Sequence, residues 1–486
     1  MTQPQIPPSQ ATASPEPLGW LRIWLYGIGE IPITASMVLF GLFLLFFYNT
    51  VMGLPAPLVG LAAAAGLGLD AVIDPLIGYQ SDRSRHRLGR RRSYMLLGAC
   101  TMGVCFAMIF FPPHVLAMGH GLFRWLLCCS ILFRITTAIY RIPYLSLGAE
   151  LTQDYDRRTV VNAVRSVCGL VGALLAAALS FELFFRAGTN GIDPKLQYLN
   201  YPKMGLAFGA LLTATGLIAF FGTSGHRDPG GRNGTLHMLG FFRGFHLAVS
   251  NRAFRSIWLS FTAFYTAVIL NASLAVYFFT WCAQVHDSRV LSAVQGAFGV
   301  GACIGIVLWL ALAGRGEKRT CYVAGILGTA VMLGAATFLI GPGKPLGVGQ
   351  AWPLIAGYTL AGIFASALWV LPASMLADVV DQDELVSGWR REGVFFGMLN
   401  FGEKVASGVA VLLAGLVLQY FVRLAPGSAV QSPVAVNHLA ILYGLVPGLT
   451  LLASIVLISP YNLSRTTTLS IQRTLATRIS LDRIHD

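Results

Sequence analysis

The sequence predicts an all-α integral membrane protein with twelve transmembrane helices in two halves of six. Among its 486 residues, 55% are hydrophobic and only 11% are charged, against about 25% charged residues in a soluble domain. Twelve apolar runs are long enough to cross a hydrocarbon core of about 30 Å. The longest polar connection, residues 224–255, leaves six of these runs on each side.

The apolar runs give the order of the predicted helices. They cover residues 24–50, 57–81, 93–112, 121–149, 160–185, 203–223, 256–283, 289–313, 320–341, 351–379, 394–421 and 436–458. The fourth run ends with Pro143 to Glu150, and the tenth ends in the same manner with Pro372 to Asp378. This similarity indicates two parallel six-helix repeats, an arrangement that builds a central site in one large class of transporters.

These runs divide the chain into five regions. Residues 1–19 lack the basic and cleavable apolar segments of a signal peptide and are expected to form a disordered cytosolic tail. The N-terminal half is expected over 20–223, the central cytosolic loop over 224–255, the C-terminal half over 256–458 and a cytosolic tail over 459–486.

Lysine and arginine in the loops predict the orientation. The loops expected inside carry 18 of these residues, whereas those expected outside carry four. Because basic loops stay in the cytoplasm, we expect a multi-pass plasma membrane protein, in a bacterium an inner membrane protein, with both termini cytoplasmic. This bias, together with a basic C-terminal tail, explains the net charge of +13, so nucleic acid is not an expected partner. The expected partners are membrane lipid and a small-molecule substrate, and the chain is expected to be a monomer.

Two carboxylates stand in the second apolar run. Asp70 and Asp74 are one helical turn apart on one face, with Cβ atoms about 6 Å apart. Each costs about 3 kcal/mol at mid-membrane, and two like charges cost more unless a cation or a shared proton compensates them. The pair therefore predicts a cation site.

Other residue types argue against catalysis. The eight cysteines form no C-x-x-C pair, and the nine histidines lie in loops, in tails or near helix ends. Neither a metal centre, a cofactor nor an enzyme active site is expected. The chain has no phosphate-binding loop of the Gly-x-x-x-x-Gly-Lys-Ser/Thr kind, so an ion gradient rather than ATP is the expected energy source.

Motifs along the chain carry a resemblance to a known family. They are Tyr26-Gly-Ile-Gly29, Asp70-Ala-Val-Ile-Asp74-Pro-Leu-Ile-Gly-Tyr-Gln-Ser-Asp82-Arg83, Ile142-Pro-Tyr144 with Gly148-Ala-Glu150, Ala377-Asp-Val-Val-Asp381 and Arg390-Arg-Glu-Gly-Val-Phe-Phe-Gly397 with Lys404. The chain resembles the glycoside-pentoside-hexuronide:cation symporters, the melibiose symporter group of the major facilitator superfamily. The resemblance implies a major facilitator fold and a cation-coupled symporter that moves a sugar, glycoside or related small organic solute by alternating access. The alternative is a carrier of a lysophospholipid or another anionic amphiphile.

The resemblance also implies roles for matching residues. Asp70 and Asp74 match the coupling-cation pair, and Lys404 matches a lysine beside the cation site and the substrate cavity. Sodium-coupled members often have a polar residue where this chain has Ile73, which favours H⁺ over Na⁺ as the coupling cation.

The substrate positions depart from the melibiose pattern. Thr34 and Arg141 stand where two sugar-binding acids are expected, and Leu145 replaces an aromatic residue. Arg141 either pairs structurally with an acid such as Glu30 or binds an anionic substrate. Arg134, seven residues before Arg141, is expected to pair with a carboxylate.

A further set of charged residues is expected to gate the cytosolic side. Asp82 and Arg83 belong to a loop that resembles the gate motif of the superfamily. The remaining members of this set are expected at cytosolic helix ends, where they would form an ion-pair network: Glu150, Arg165, Asp378 and Asp381.

Overall fold

The computed structural model describes residues 19–84, 86, 88–113, 120–152, 155–186, 193–224, 248–388, 391–424 and 431–485. In these ranges, twelve helices are long and apolar enough to span a membrane, and no strand occurs. They are α1 Trp20–Val51, α2 Ala56–Arg83, α3 Arg92–Ile109, α4 His120–Glu150, α5 Tyr155–Phe184, α6 Asn200–Gly222, α7 Arg252–Cys282, α8 Ser288–Arg315, α9 Lys318–Leu339, α10 Ala351–Ser387, α11 Glu392–Val422 and α12 Pro433–Ile458. The predicted fold class is confirmed.

The helices pack as two similar halves, α1–α6 and α7–α12. In the N-terminal half, α1 packs on α5, α2 on α4 and α3 on α6. The C-terminal half repeats these pairs with α7 on α11, α8 on α10 and α9 on α12. Between the halves, α1 meets α7, α2 meets α11 and α5 meets α8, so the contacts themselves follow the twofold repeat.

Helices in equivalent positions share backbone irregularities. Pro143 lies inside α4 and Pro372 inside α10, as the repeated sequence pattern predicted. The last turn of α1, Phe47–Val51, and the last turn of α7, Phe278–Cys282, are both π-helical. Such turns are rare in proteins and are frequently found at functional sites.

The C-terminal end of α10 shows where an apolar run does not mark the end of a helix. The run stops at residue 379, but α10 continues to Ser387 and ends where Gly388 adopts a positive φ of 72°. The extra turns are polar and carry Asp381 and Asp383. Because the helix extends past the hydrocarbon, hydropathy marks the membrane boundary rather than the end of the helix.

The C-terminal tail contains a helix that the sequence did not predict, α13 Arg465–His485. Glu317 caps its start, because its carboxylate accepts from the Arg465 amide at 3.1 and 3.2 Å. Gln472 donates to Asp381 at 3.1 Å, which fixes α13 against the end of α10. The tail therefore packs against the C-terminal half.

An even number of spans puts both chain ends on one side of the bundle. We call the side where α1 begins and α12 ends the terminal face, and the opposite side the distal face. Near the distal face the Tyr277 hydroxyl donates to Leu45 O at 2.9 Å, and the Ser292 hydroxyl donates to Ala178 O at 2.8 Å. Both hydrogen bonds join the halves.

Glycines allow the halves to approach closely near the distal face. A Cβ on Gly60 would lie 2.9 Å from Val411 O, and a Cβ on Gly415 would lie 2.3 Å from Ala56 O. These contacts bring α2 and α11 together backbone to backbone. With the hydrogen bonds of Tyr277 and Ser292, they close the bundle toward the distal face.

Candidate functional site

Two carboxylates of α2 and one ammonium group of α11 meet near the middle of the bundle. The Lys404 ammonium contacts the Asp74 carboxylate directly, and its Nζ lies 3.8 Å from Oδ2 of Asp70. The Asp70 residue is only 7% exposed. Because α2 and α11 belong to different halves, these ion pairs join the halves at mid-membrane depth.

Arg134 of α4 is a second cation beside Asp70. Its Nη1 lies 3.7 Å from Oδ2 of Asp70, and its Cζ lies 5.3 Å from the ring centroid of Phe40. The Nε atom of Arg134 has no hydrogen-bond partner among the described residues. A buried arginine needs a counterion, so this geometry agrees with the expected pairing role.

A small cavity of about 80 Å³ lies beside these residues. Its polar lining combines three cations and two carboxylates with one hydroxyl: Arg134, Arg141, Lys404, Asp70, Glu403 and Ser407. Ligand sites for organic molecules usually measure about 300–1,000 Å³. The cavity therefore has room for water or a small ion in this conformation, and a larger solute needs the halves to separate.

Arg141 faces this cavity without a close counterion. Among the described residues, no carboxylate lies within ion-pair distance of its guanidinium. The acid considered for it, Glu30, instead pairs with Arg165, whose Nε lies 3.6 Å from Oε2 of Glu30. Of the two interpretations of Arg141, the structural pair with Glu30 is therefore the weaker one.

Glu403 is a cavity residue that the sequence analysis missed. Arg141 and Lys404 are the positive charges that act on its carboxylate, and Tyr265 of α7 is placed to hydrogen-bond it. The apolar run 394–421 contains two charged residues only, Glu403 and Lys404. Since an ionisable residue inside a membrane helix indicates function, the sequence did carry a signal for Glu403.

Three stacked tyrosines join α1 to α4 on the terminal-face side of the cavity. The rings of Tyr26 and Tyr144 have centroids 4.6 Å apart, and those of Tyr140 and Tyr144 are 5.6 Å apart. Tyr144 donates to Tyr26 O and Tyr140 donates to Gly29 O, both at 3.0 Å. All three rings are fully buried, so α1 and α4 form a stiff unit beside Glu30 and Arg165.

The two remaining substrate positions serve helix packing. The Thr34 hydroxyl donates to Gly169 O at 2.9 Å, which joins α1 to α5. Leu145 packs against a buried apolar cluster that includes residues of both halves. These contacts occupy both side chains, and a substrate role for either stays a prediction.

The predicted gating residues lie apart from one another. Glu150 binds Arg90 at 3.0 Å and Arg91 at 2.8 Å, so it ties the end of α4 to the start of α3. Asp378 binds Lys318 at 2.7 Å and so ties α10 to α9. Each of these ion pairs lies within one half.

The other members of the gating set differ in position. Asp381 accepts from α13, as described above, and the Arg83 guanidinium stacks 4.1 Å from the ring centroid of Tyr79 on its own helix. The side chain of Asp82 lies outside the described residues. The placement of Arg165 at a helix end was wrong, because it lies ten residues, or about 15 Å, inside α5.

Comparison with known proteins agrees with this architecture. The model of the family described as "MFS/sugar transport protein" matches residues 25–465. The chain belongs to this family. The predicted resemblance to the melibiose symporter group is thereby confirmed.

Individual relatives of this MFS/sugar transport family member cover most of its length. A protein of Synechocystis sp. named as an uncharacterized symporter is 28% identical, over 96% of this chain and 98% of its own. The isoprimeverose transporter of Lactiplantibacillus pentosus is 24% identical over 88% of this chain and 85% of its own. Among solved structures, a bacterial homolog of the lysosomal transporter Spinster, in an inward-facing and unoccupied conformation, has a TM-score of 0.63, with 17% identity over 94% of this chain and 96% of its own. That likeness shows the fold.

Proposed function

We propose that this protein is a proton-coupled symporter that moves a sugar, glycoside or related small organic solute across the membrane by alternating access. One observation carries the proposal. The carboxylate pair expected to bind the cation, Asp70 and Asp74, is the same pair that Lys404 holds across the halves. Binding of the cation and contact between the halves therefore involve the same atoms.

This arrangement explains coupling by competition. A cation at Asp70 and Asp74 neutralises the charge that attracts Lys404, so the ammonium is released and the link between α2 and α11 weakens. The substrate then binds to a cavity that the released side chain no longer restricts. By linkage, the substrate must raise the affinity for the cation by the same factor.

The composition of the site favours H⁺ over Na⁺. Sodium prefers several oxygen ligands, whereas two carboxylates can share one proton without further groups. Here Ile73 precedes Asp74, and the nearest partners of the pair are the cations Arg134 and Lys404. Arg134 and Lys404 would repel a sodium ion bound beside them.

We infer from the basic loops that the terminal face is cytoplasmic, which makes the described conformation closed to the outside. Most of the proposed central cytosolic loop, residues 225–247, lies outside the described residues.

Cysteine labelling tests this orientation. In a cysteine-free background, a cysteine at Gly231 should stay unlabelled by an impermeant reagent outside intact cells. A cysteine at Val348, in the distal connection between α9 and α10, should react; the opposite result would reverse the orientation.

Arg141 suggests the class of substrate. A guanidinium keeps its charge when buried, and it binds carboxylate or phosphate oxygens through two parallel hydrogen bonds. Because Arg141 faces the cavity without a close counterion, we propose an anion-bearing glycoside or a hexuronate as the preferred solute.

One chain supplies both halves of the site, so the transporting unit is proposed to be the monomer.

Transport by the purified protein in liposomes tests the proposal. An inward proton gradient should drive accumulation of the correct solute from a panel of neutral glycosides and hexuronates, and replacing Na⁺ by choline should not change the rate. Accumulation that needs Na⁺ and does not depend on the proton gradient would reject H⁺ coupling.

To test alternating access, cysteines placed at Ala178 and Ser292 can be oxidised. A disulfide between them would hold the distal side shut, so transport should stop and should return on reduction.

One observation favours a second candidate, transport of an anionic amphiphile. An apolar cavity of about 300 Å³ lies within the C-terminal half, lined by aromatic and aliphatic side chains that include Phe298, Tyr358 and Trp369. An acyl chain fits such a lining. Competition by a lysophospholipid against hexuronate uptake, removed when Ala335 on the wall is changed to Trp, would support this candidate.

A further inference from the structure

We propose that Glu403 is a second proton-binding carboxyl of this carrier, and that in the empty state it balances Arg141 in place of the anionic group of the substrate. This inference rests on the proposed function, because it assigns a further role within the same site. Arg141 comes from α4 and Glu403 from α11, and both line the central cavity.

The charges around the cavity lead to this assignment. Asp70 has Arg134 at 3.7 Å, and Asp74 contacts Lys404. Arg141 and Glu403 remain, and neither forms an ion pair with a described residue. Among the charges that act on Glu403, Arg141 is the strongest. The two side chains therefore balance each other across the cavity at a distance that leaves room between them.

An anionic substrate that enters the space between Arg141 and Glu403 changes the balance of charge between them. It binds Arg141, so Glu403 loses part of its counter-charge, and it places a second negative charge near Glu403 in a medium of low dielectric; both changes favour protonation of Glu403. The groups that face Glu403 are Arg141 from α4, Lys404 beside it on α11, Tyr265 from α7 and Asp70 from α2. A protonated Glu403 becomes a hydrogen-bond donor, and the Tyr265 oxygen is placed to accept.

The proton balance of the cycle follows. On the side where substrate enters, one proton binds the Asp70–Asp74 pair and one binds Glu403 as the anion occupies Arg141. On the other side the substrate leaves, both protons dissociate, and ionised Glu403 again balances Arg141. A monoanionic substrate thus moves with two protons and a net charge of +1, whereas a variant without the Glu403 carboxyl moves it with one proton and no net charge.

Calorimetric binding of D-glucuronate to the purified protein in weakly buffered solutions tests this count. Wild type should take up one proton more per glucuronate bound than Glu403→Gln. Its affinity should also fall more steeply with rising pH, by up to tenfold per pH unit relative to the variant. Glu392→Gln, at the start of the same helix and outside the cavity, should behave as wild type. Equal proton uptake by wild type and Glu403→Gln would overturn the proposal.

Transport gives a second readout. A membrane potential, negative inside, should accelerate glucuronate uptake in wild-type liposomes and leave uptake by Glu403→Gln unchanged. Potential-driven uptake by Glu403→Gln at the wild-type rate would also overturn the assignment.

A separate measurement covers the case in which D-glucuronate binds to neither protein. That result rejects the anionic substrate class of the proposed function, and the link between Arg141 and Glu403 is then decided by thermal stability. If the two residues balance each other, the effects of Glu403→Gln and Arg141→Gln on the melting temperature are not additive in the double variant. Additive effects would overturn the proposal without bearing on proton coupling at Asp70 and Asp74.

Discussion

Nδ1 of His286 lies 2.9 Å from Oδ2 of Asp193, and this contact joins the two halves at the distal face. Asp193 also binds Nζ of Lys195 at 3.0 Å, and Lys195 donates to the Val285 carbonyl at 2.8 Å. The Lys195 side chain is 1% exposed. We call Asp193, Lys195, His286 and the Val285 carbonyl the distal clasp. It holds an ammonium group of the N-terminal half against the backbone of the C-terminal half.

Replacing Lys195 by Met should weaken the distal clasp. The variant keeps the volume but loses the donor to Val285, and it leaves the Asp193 carboxylate with His286 and the backbone amide of residue 195. The loss of about 2 kcal/mol should raise the population with an open distal side about 30-fold. The measurement is the labelling rate of a cysteine at Ala178 by an impermeant maleimide added from the distal side. Lys344→Met is the matched control, since Lys344 donates to Thr337 O within one half; equal labelling of both variants would contradict the prediction.

The distal clasp should also respond to pH when Asp193 is changed to Asn. Burial lowers the pKa of Lys195, and the Asp193 carboxylate beside it opposes this by raising the pKa. Without the carboxylate, folded Lys195 binds its proton less tightly than the unfolded chain, whose lysine pKa is about 10.4. Stability must therefore rise with pH between the folded and unfolded values. We expect the melting temperature of Asp193→Asn, relative to wild type, to recover as the pH rises toward the unfolded lysine value of about 10.4. The double variant with Lys195→Met should show no recovery.

Asp70→Asn and Asp74→Asn should each abolish accumulation against a gradient while the protein stays folded. Each change removes half of the carboxylate pair, yet Lys404 keeps one carboxylate neighbour in either variant. Solute uptake and melting temperature are measured together, with uptake in wild type expected to fall as external pH rises. Glu182→Gln, a partly exposed carboxylate of α5, is the control. Concentrative uptake by both Asp variants would reject the cation site.

Arg141→Lys should weaken binding of an anionic substrate about tenfold although the charge is kept, because a lysine lacks the paired donors of the guanidinium. Arg141→Ala should bind it more weakly still. Titration of the purified variants with D-glucuronate measures both effects. A neutral glycoside transported at the full rate by Arg141→Ala would make Arg141 a structural residue and return the substrate to an ordinary sugar.

Much of the fold follows from local patterns. Twelve spans require only length and hydropathy, and the shared face of Asp70 and Asp74 requires only helical geometry. The partners of charged residues do not follow, because they depend on how distant helices meet. Glu30 pairs with Arg165 rather than Arg141, and Lys195 reaches a carbonyl 90 positions away. Helical periodicity reports only on neighbours along one helix, so it cannot predict which residues of distant helices form a pair.

The C-terminal helix escaped prediction for a different reason. Residues 465–485 have low hydropathy, so nothing distinguishes them from a solvated tail. Their order comes from contacts with distant residues, which include Glu317 and Arg315 at the start, Asp381 along the helix and the apolar cluster that buries Ile471. Helices that form by docking give weak local signals, since most of the stability of a helix in a protein comes from tertiary packing rather than from local propensity.

The tyrosine stack between α1 and α4 sets which parts of the carrier travel together. Tyr144 and Tyr140 each bond a backbone carbonyl of α1, so these two helices cannot slide past one another without breaking buried hydrogen bonds. Arg141 stands between these tyrosines in the sequence and is carried by the same rigid piece. When the halves rock, the arginine therefore keeps its position relative to α1 and changes it relative to Glu403 on α11. In the proposed cycle, the angle between the halves would therefore set the distance from Arg141 to Glu403, and with it the strength with which the site attracts an anion.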